Sequence, residues 1–313
     1  MSHVPVPGAS GFVLNINKPE RWTSHDTVQR VRRILKLRKV GHTGTLDPFA
    51  TGVLLCCVGR ATKLSNYLMD LTKEYAGAML FGVRTTTGDI AGEVVEQLRL
   101  PLPPLDALAA AARQFEGESL QVPPMVSALK HHGERLYALA RRGITVEREP
   151  RTITIESFEI LGADEGRIHF RVRCSRGTYV RTLVEDFGAR LGATACVEQL
   201  CRTRVGAFSV EEAADLTGAL DAAGLRARGV SMAEALSNLS AWRIPSFWVR
   251  KLRDGHAPPW AVVELEVEPR EGEVGRLLGA TGELVALGRA VPYPGPADRP
   301  WHEALSLELV RVI

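Results

Sequence analysis

The sequence predicts an α+β fold, and three patterns in its 313 residues carry that reading. Residues 167–175, "RIHFRVRCS", place Ile168, Phe170, Val172 and Cys174 in alternation with His169, Arg171, Arg173 and Ser175. That period belongs to a strand with one apolar face and one basic face. Residues 24–39 and 180–191 carry apolar residues at helical spacing instead. Beyond about residue 246 the composition shifts to short strands and turns such as "LLGATGELVALG", as expected of a small, separate β-rich domain.

Taken in order, the first element is a helix over "TSHDTVQRVRRILKLRK". Thr23 and Asp26 have the spacing of a capping box, and Val28, Val31, Ile34 and Leu35 form its apolar stripe. Arg30, Arg32, Arg33, Lys36, Arg38 and Lys39 occupy its other faces. Residues 53–58, "VLLCCV", have the length and apolarity of a buried strand. "YAGAMLFGV" and "GEVVEQ" flank "TTTGD", which predicts a hairpin. Residues 121–152 open with a proline-rich stretch, continue as a short basic helix ending at Gly143, and leave through a charged exit. They read as an arm standing out from the core. After the strand at 167–175, "RGT" breaks the chain, and a helix follows with Val180, Leu183, Val184, Phe187 and Leu191 facing inward. This unit brings Arg176, Tyr179 and Arg181 to one end of a sheet.

Composition narrows the classes. With 45% hydrophobic and 24% charged residues the chain reads as an ordinary globular protein. It has no run of membrane-spanning length and no signal-peptide pattern, so the expected location is the cytoplasm. Five cysteines without CxxC spacing argue against a zinc site and for a reducing compartment. The net charge is only +3, but residues 17–63 hold ten Lys/Arg against three Asp/Glu, and residues 167–181 hold five arginines and no acid. Clustered positive charge on a near-neutral chain is the footprint of a polyanion partner.

One motif breaks that pattern. "GHTGTLDPFATGVL", residues 41–54, looks like a Gly-rich phosphate cradle, yet it lacks the Lys-Ser/Thr pair of a P-loop and presents an acid, Asp47. Taken alone, Asp47-Pro48 is a turn starter. Arg181 alone is a surface partner for Glu185 one helical turn away. Tyr75, Tyr179 and Leu200 alone are core residues, and His42 is a loop histidine.

Together with "NKPERWTS" (17–24), "KEY" (73–75), "PPMVSALKHHGERLYALARRGI" (123–144), "RCSRGTYVRTL" (173–183) and "LCRTRVGAF" (200–208), in that order, the motif closely resembles the TruB family of tRNA pseudouridine synthases, of the bacterial stand-alone type. The resemblance implies the pseudouridine synthase fold, with a mixed, mainly antiparallel central sheet flanked by helices. It also implies a small C-terminal β-barrel-like PUA domain. The expected division is residues 1–245 for the catalytic domain, with an RNA-gripping arm inserted at about 121–152, and 246–313 for the PUA-like RNA-binding domain. The implied reaction converts uridine to pseudouridine at position 55, in the T-loop of tRNA, by base flipping, with no metal and no cofactor.

Residue by residue, the resemblance implies that Asp47 is the catalytic aspartate, acting ionised as a nucleophile at C1′ or as a base toward the 2′ proton. Arg181 is its partner, keeping it ionised, and Tyr75 stacks on the base and assists removal of the C5 proton. His42, Tyr75, Tyr179, Leu200 and Lys18 are the implied substrate-binding set, with Lys18 and Pro19 supporting the active-site loop from beside it. The basic helix, the Arg face of 167–175 and the arm are expected to grip the T-arm stem-loop. The expected protein is a monomer without obligatory protein partner or membrane. Three departures from the family pattern, Arg21, Val126 and Cys201, are expected to leave the reaction centre untouched. A guide-RNA-dependent relative and a non-catalytic tRNA-binding or folding protein are the competing readings. The arm and the absence of a Lys-rich tail favour the stand-alone enzyme over the first, and the intact Asp47–Tyr75–Arg181 set disfavours the second.

Overall fold

The apolar run at 53–58 forms the middle of the strand Thr51–Gly59, buried along nearly its whole length, and the main sheet grows on both sides of it. The structure, a computed structural model, describes residues 11–293 and 301–313. Residues 1–10 and 294–300, which the sequence division assigns to the first and second domains, lie outside the described residues. In spatial order the sheet runs Ala214–Asp215, Gly11–Lys18, Thr51–Gly59, Ala195–Val205, Lys73–Phe81, Arg167–Cys174, Arg151–Asp164 and Gly117–Gln121. Three short strands join it from the side. Most neighbours are antiparallel, but Thr51–Gly59 meets Ala195–Val205 in parallel, so the sheet is mixed as expected. Helices and strands are interspersed, and the fold is α+β.

Side-chain alternation assigns each face its cover. Leu54, Cys56 and Val58 pack under the helix Ser24–Leu35, against Val28, Val31 and Leu35. Its Thr23–Asp26 capping box is present, and Lys36 ends the helix in the left-handed conformation, short of residue 39. Farther along the sheet, Ile168, Phe170, Val172 and Cys174 are fully buried beneath the helices Leu105–Arg113 and Val180–Arg190. Phe158 meets Phe187 and Phe170 edge to face there, at 5.4 and 6.0 Å between ring centres.

Two sequence expectations change. "YAGAMLF" does not pair with "GEVVEQ": it belongs to Lys73–Phe81 in the middle of the main sheet. Gly82, at φ +83°, then turns the chain, and Val83–Thr85 forms the hairpin with Val94–Gln97. A buried strand with two neighbours gains more burial than an exposed hairpin arm, so long-range pairing overrides the local signal. The second change is at the C-terminus. Its five strands, Glu264–Leu265, Ser240–Arg243, Val274–Leu278, Leu284–Pro292 and Leu305–Val312, form an open sheet among the described residues, and no closed barrel. One face carries Trp242, with Trp260 edge-on at 5.0 Å, and Leu252 of the helix Ser246–Arg253. The other face lays Leu278, Leu284, Leu287 and Ile313 against Val13, Val53 and Leu55 of the main sheet. Both faces are thus covered without closure. The sheet already includes Ser240–Arg243, so it begins before residue 246.

The arm occupies residues between two neighbouring strands. Gly117–Gln121 and Arg151–Asp164 pair antiparallel with Gln121 opposite Arg151, so the intervening chain leaves and returns at one point. It holds the hairpin Lys130–His131 with Glu134–Arg135 and the helix Leu136–Arg141.

Leu287 is fully buried between the two sheets. Replacing it with alanine should lower unfolding stability by about 2–5 kcal/mol, read from urea denaturation. A loss below 1 kcal/mol would show that the interface between the sheets carries little of the stability.

Candidate active site

The loop 43–50 links Val40–His42 to Thr51–Gly59, and it is pinned on both sides of Asp47. Leu46 donates its backbone N–H to Ser24 Oγ at 2.9 Å, and Ser24 Oγ donates back to the Leu46 carbonyl at 3.2 Å. The Pro48 carbonyl accepts from the Arg21 backbone N–H at 2.7 Å and from Lys18 Nζ at 3.3 Å. Arg202 Nη2 donates to the Gly44 carbonyl at 3.2 Å. Gly52, at φ +100°, is packed so closely on Arg202 that a Cβ there would lie 2.3 Å from the Arg202 carbonyl oxygen. The Asp47 side chain is left free to project, one third exposed.

Arg181 meets it from the first turn of Val180–Arg190. Its side chain is only 3% exposed, and a buried guanidinium requires partners for its donors. Nε donates to Asp47 Oδ2 at 2.9 Å and Nη2 to Asp47 Oδ1 at 3.3 Å, a two-point grip on both carboxylate oxygens. Nη1 donates to the Thr87 carbonyl and Nη2 also to the Val126 carbonyl, each at 2.8 Å. A second carboxylate, buried Asp89, lies 3.6 Å from Nε. Thr87 Oγ1 and the Ala91 N–H both donate to Asp89 Oδ1 and hold it there. Pairing of Arg181 with Asp47, and no ion pair with Glu185 among the described residues, decides between the two sequence readings of this arginine.

Burial pushes the Asp47 carboxyl above the ordinary carboxylate value, Arg181 opposes that rise, and Asp89 adds to it. The Arg181 cation thus limits a rise that burial imposes.

Tyr75 and Leu200, with Leu46, line one apolar cluster at 9%, 8% and 4% exposure. Burial raises the Tyr75 phenol above its usual value, so it is neutral at neutral pH. Tyr179 precedes the Arg181 helix, half-buried, and Gln121 clasps its backbone twice. Gln121 Oε1 accepts the Tyr179 N–H at 2.8 Å and Nε2 donates to its carbonyl at 3.1 Å. His42 ends its strand half-buried with Nδ1 unpartnered. Burial and nearby Arg202 lower its pKa, leaving a neutral imidazole.

Of the two roles expected of Lys18, the geometry favours support of the loop over substrate contact: it is fully buried, and its ammonium donates to the carbonyls of Pro19, Trp22 and Pro48. Burial brings its pKa down to about 8 while Asp47 opposes the fall. It clamps the loop from inside. Arg176 also stays away from Asp47, pairing with Asp70 at the surface. The basic face of 167–174 requires a correction. Arg167 pairs with Glu198, His169 with Asp164, Arg171 with Glu159 and Arg173 with Glu156. By alternation that face also lies opposite the face carrying Tyr75, so it is not the surface beside Asp47.

Two of the three departures do reach the centre, through backbone atoms that any residue supplies. Arg21 donates its N–H beside Asp47, at φ +67°, and Val126 gives Arg181 a carbonyl. Cys201 alternates with Leu200 and Arg202 and faces away. Sequence reasoning missed Asp89, Thr87, Gln121 and the buried Arg202. The threonine-glycine turn before Asp89 and the strand spacing that places Arg202 on the same face as Leu200 were the available signals.

A family model described as TruB family pseudouridylate synthase (N terminal domain) matches residues 32–180. The chain is 42% identical over 291 residues to tRNA pseudouridine synthase B of Moorella thermoacetica, covering 90% of this chain and 94% of that protein. It is 41% identical over 300 residues to the protein of the same name from Stutzerimonas stutzeri, with the same two coverages. Among solved structures it resembles a chain of the archaeal box H/ACA sRNP Nop10-Cbf5 complex, at a TM-score of 0.72 and 26% identity, over 99% of this chain and 86% of that one.

Gly52→Ala tests the pinning of the loop. A Cβ there meets backbone and the φ is left-handed, so the variant should lose more than about 1 kcal/mol of stability, measured by denaturant unfolding. An unchanged midpoint would show that the loop yields without cost.

Proposed function

Because the chain belongs to the TruB family of pseudouridylate synthases, we propose that it converts uridine to pseudouridine at position 55 in the T-loop of tRNA, with Asp47 at the reacting sugar. The observation that carries this reading is the two-point grip of Arg181 on a carboxylate that is still one third exposed. All other Arg181 contacts go to carbonyls or to buried Asp89, so Asp47 is the one partly exposed group that the guanidinium aims and charges.

The reaction breaks the C1′–N1 bond, turns the uracil, forms C1′–C5, and moves a proton from C5 to N1. Nothing is gained or lost, so the stoichiometry calls for no cofactor. Asp47 enters either as a nucleophile at C1′ or as a base at the 2′ proton. Both routes ask the same of the protein: an ionised carboxylate with one accessible oxygen, held still. The uracil must leave the loop stack to reach it. Tyr75 and Leu200 then supply an apolar wall for the flipped base, and the neutral phenol offers an oxygen lone pair toward C5. His42, neutral and with an unpartnered ring nitrogen, is suited to fill the space the base leaves, and Tyr179 to contact the substrate where the arm joins the core.

Grip on the T-arm is assigned to the exposed cations Arg33, Lys36, Arg38 and Lys39 and to the arm at 121–152. The division into a catalytic domain at 1–245 and a PUA-like RNA-binding domain at 246–313 remains part of the proposal, with Ser240–Arg243 pairing in the second sheet. So do the monomeric state, the absence of an obligatory protein partner and the cytoplasmic location.

Incubated with an unmodified T-arm transcript, without guide RNA or added metal, the purified protein should convert the loop uridine, read by chemical mapping of pseudouridine. An untouched uridine would overturn the stand-alone reading. Asp47→Asn should cut conversion by about 10³-fold or more while leaving tRNA binding nearly unchanged, and equal activity would remove Asp47 from the mechanism.

The pH profile tests the electrostatics. Activity needs the anion, so single-turnover rate should fall as pH drops through an Asp47 pKa raised above the ordinary value. Arg181→Met removes the cation that limits that rise, so the acid limb should move to higher pH. A limb that stays in place would show that Arg181 does not govern the charge of Asp47.

A further inference from the structure

The face of the main sheet opposite Tyr75 carries a second site. Where Lys73–Phe81 begins, Arg204 lies across from Glu74, and Glu74 across from Arg173, all on the face turned away from the Asp47 cluster. The C-terminal sheet approaches the same place with Val274 and Arg289, and a cleft of about 800 Å³ opens between the two units. That is the size of a pocket for a ligand of a few rings. Its apolar wall is the uncovered fringe of the core between the sheets: Tyr67, Leu71, Leu239 and Val274, each partly buried.

Its charges do not cancel. Asp70 is taken by Arg176, Arg173 by Glu156, and Glu74 accepts the Thr203 hydroxyl. Arg204 and Arg289, one from each unit, have no hydrogen-bond or ion-pair partner among the described residues.

We propose that this cleft binds a nucleoside phosphate, with the phosphate between Arg204 and Arg289 and the base against Tyr67, Leu71 and Leu239. Two guanidiniums free of ion pairs, outnumbering the Glu74 carboxylate beside them, match a phosphate oxygen set, and a tyrosine beside aliphatic side chains matches a base face. The exposed Asn238 amide at the rim offers a donor and an acceptor to the base edge. The ligand is a free nucleotide or a nucleotide of a tRNA strand, which share this chemistry. The inference stands apart from the proposed reaction at Asp47, on the other face of the sheet.

The test is calorimetric titration of the full chain at low salt with adenosine 5′-monophosphate, chosen because it is not a uridine. Saturable one-site binding is expected, unchanged by Asp47→Asn and weakened at least about tenfold by Arg204→Ala with Arg289→Ala. Both arginines are exposed, so the double variant should melt like wild type and still convert the T-arm transcript. Displacement of the nucleotide by full-length unmodified tRNA, and not by the T-arm alone, would identify a tRNA strand as the source; its absence would identify the free nucleotide. No saturation at millimolar nucleotide, inorganic phosphate binding equally tightly, or full affinity in the double variant would overturn the proposal. Lost T-arm conversion in the double variant would also overturn it.

Discussion

The Arg181 guanidinium is the contact on which the site depends. It is almost wholly buried, and a cation removed from water is tolerated only when its donors are met. Here they are met by three separate stretches of chain: Asp47 in the loop, Thr87 and Asp89 in the hairpin turn, and Val126 at the root of the arm. None of these stretches has a regular element that would hold it in register by itself. The arginine therefore organises its surroundings as much as it charges Asp47, and displacing any one of the three leaves a buried donor unpaired.

Other buried cations repeat this device at lower stakes. Lys18 ties the backbone around Pro19 and Trp22 to the carbonyl of Pro48. Arg202 ties Val53 to Gly44 through Nε and Nη2. The Asp47 loop is thus held from below by cations bonded to carbonyls and from the side by Ser24, while its one carboxylate faces outward. The TruB fold accordingly keeps positive charge in two populations. Interior cations shape the loop; exposed ones, such as Arg33, Arg38 and Lys39, stay at the surface on and after the first helix. The arginines of 167–174 belong to neither group, since neighbouring acids occupy them.

Legibility varied with the range of the interactions. The capping box at Thr23 and Asp26, the buried strand around residues 53–58, and the alternation of Ile168, Phe170, Val172 and Cys174 all depend on residues close in sequence, and all took the form their spacing predicts. "YAGAMLF" did not, because its partners lie more than eighty residues away and sheet pairing outweighs a nearby turn. The barrel expected at the C-terminus is an open sheet for a similar reason: the main sheet covers the face that closure would otherwise hide. Asp89 looked like part of a turn, and only its 3.6 Å approach to Arg181 makes it part of the site.

By itself, the sequence determined the family, the α+β class, the local elements and the choice of Asp47 as the residue of interest. Ordered motifs and short-range periodicity are properties of the chain alone. Tertiary structure decided which charges are free. It sent Arg181 to Asp47 across 134 positions of sequence, Lys18 to the interior and Arg173 to Glu156. It also left Arg204 and Arg289 facing one cleft. Charge is written in the sequence residue by residue, but its partner and its exposure to water are set only when distant strands meet, and those two quantities decide what a charged group can do.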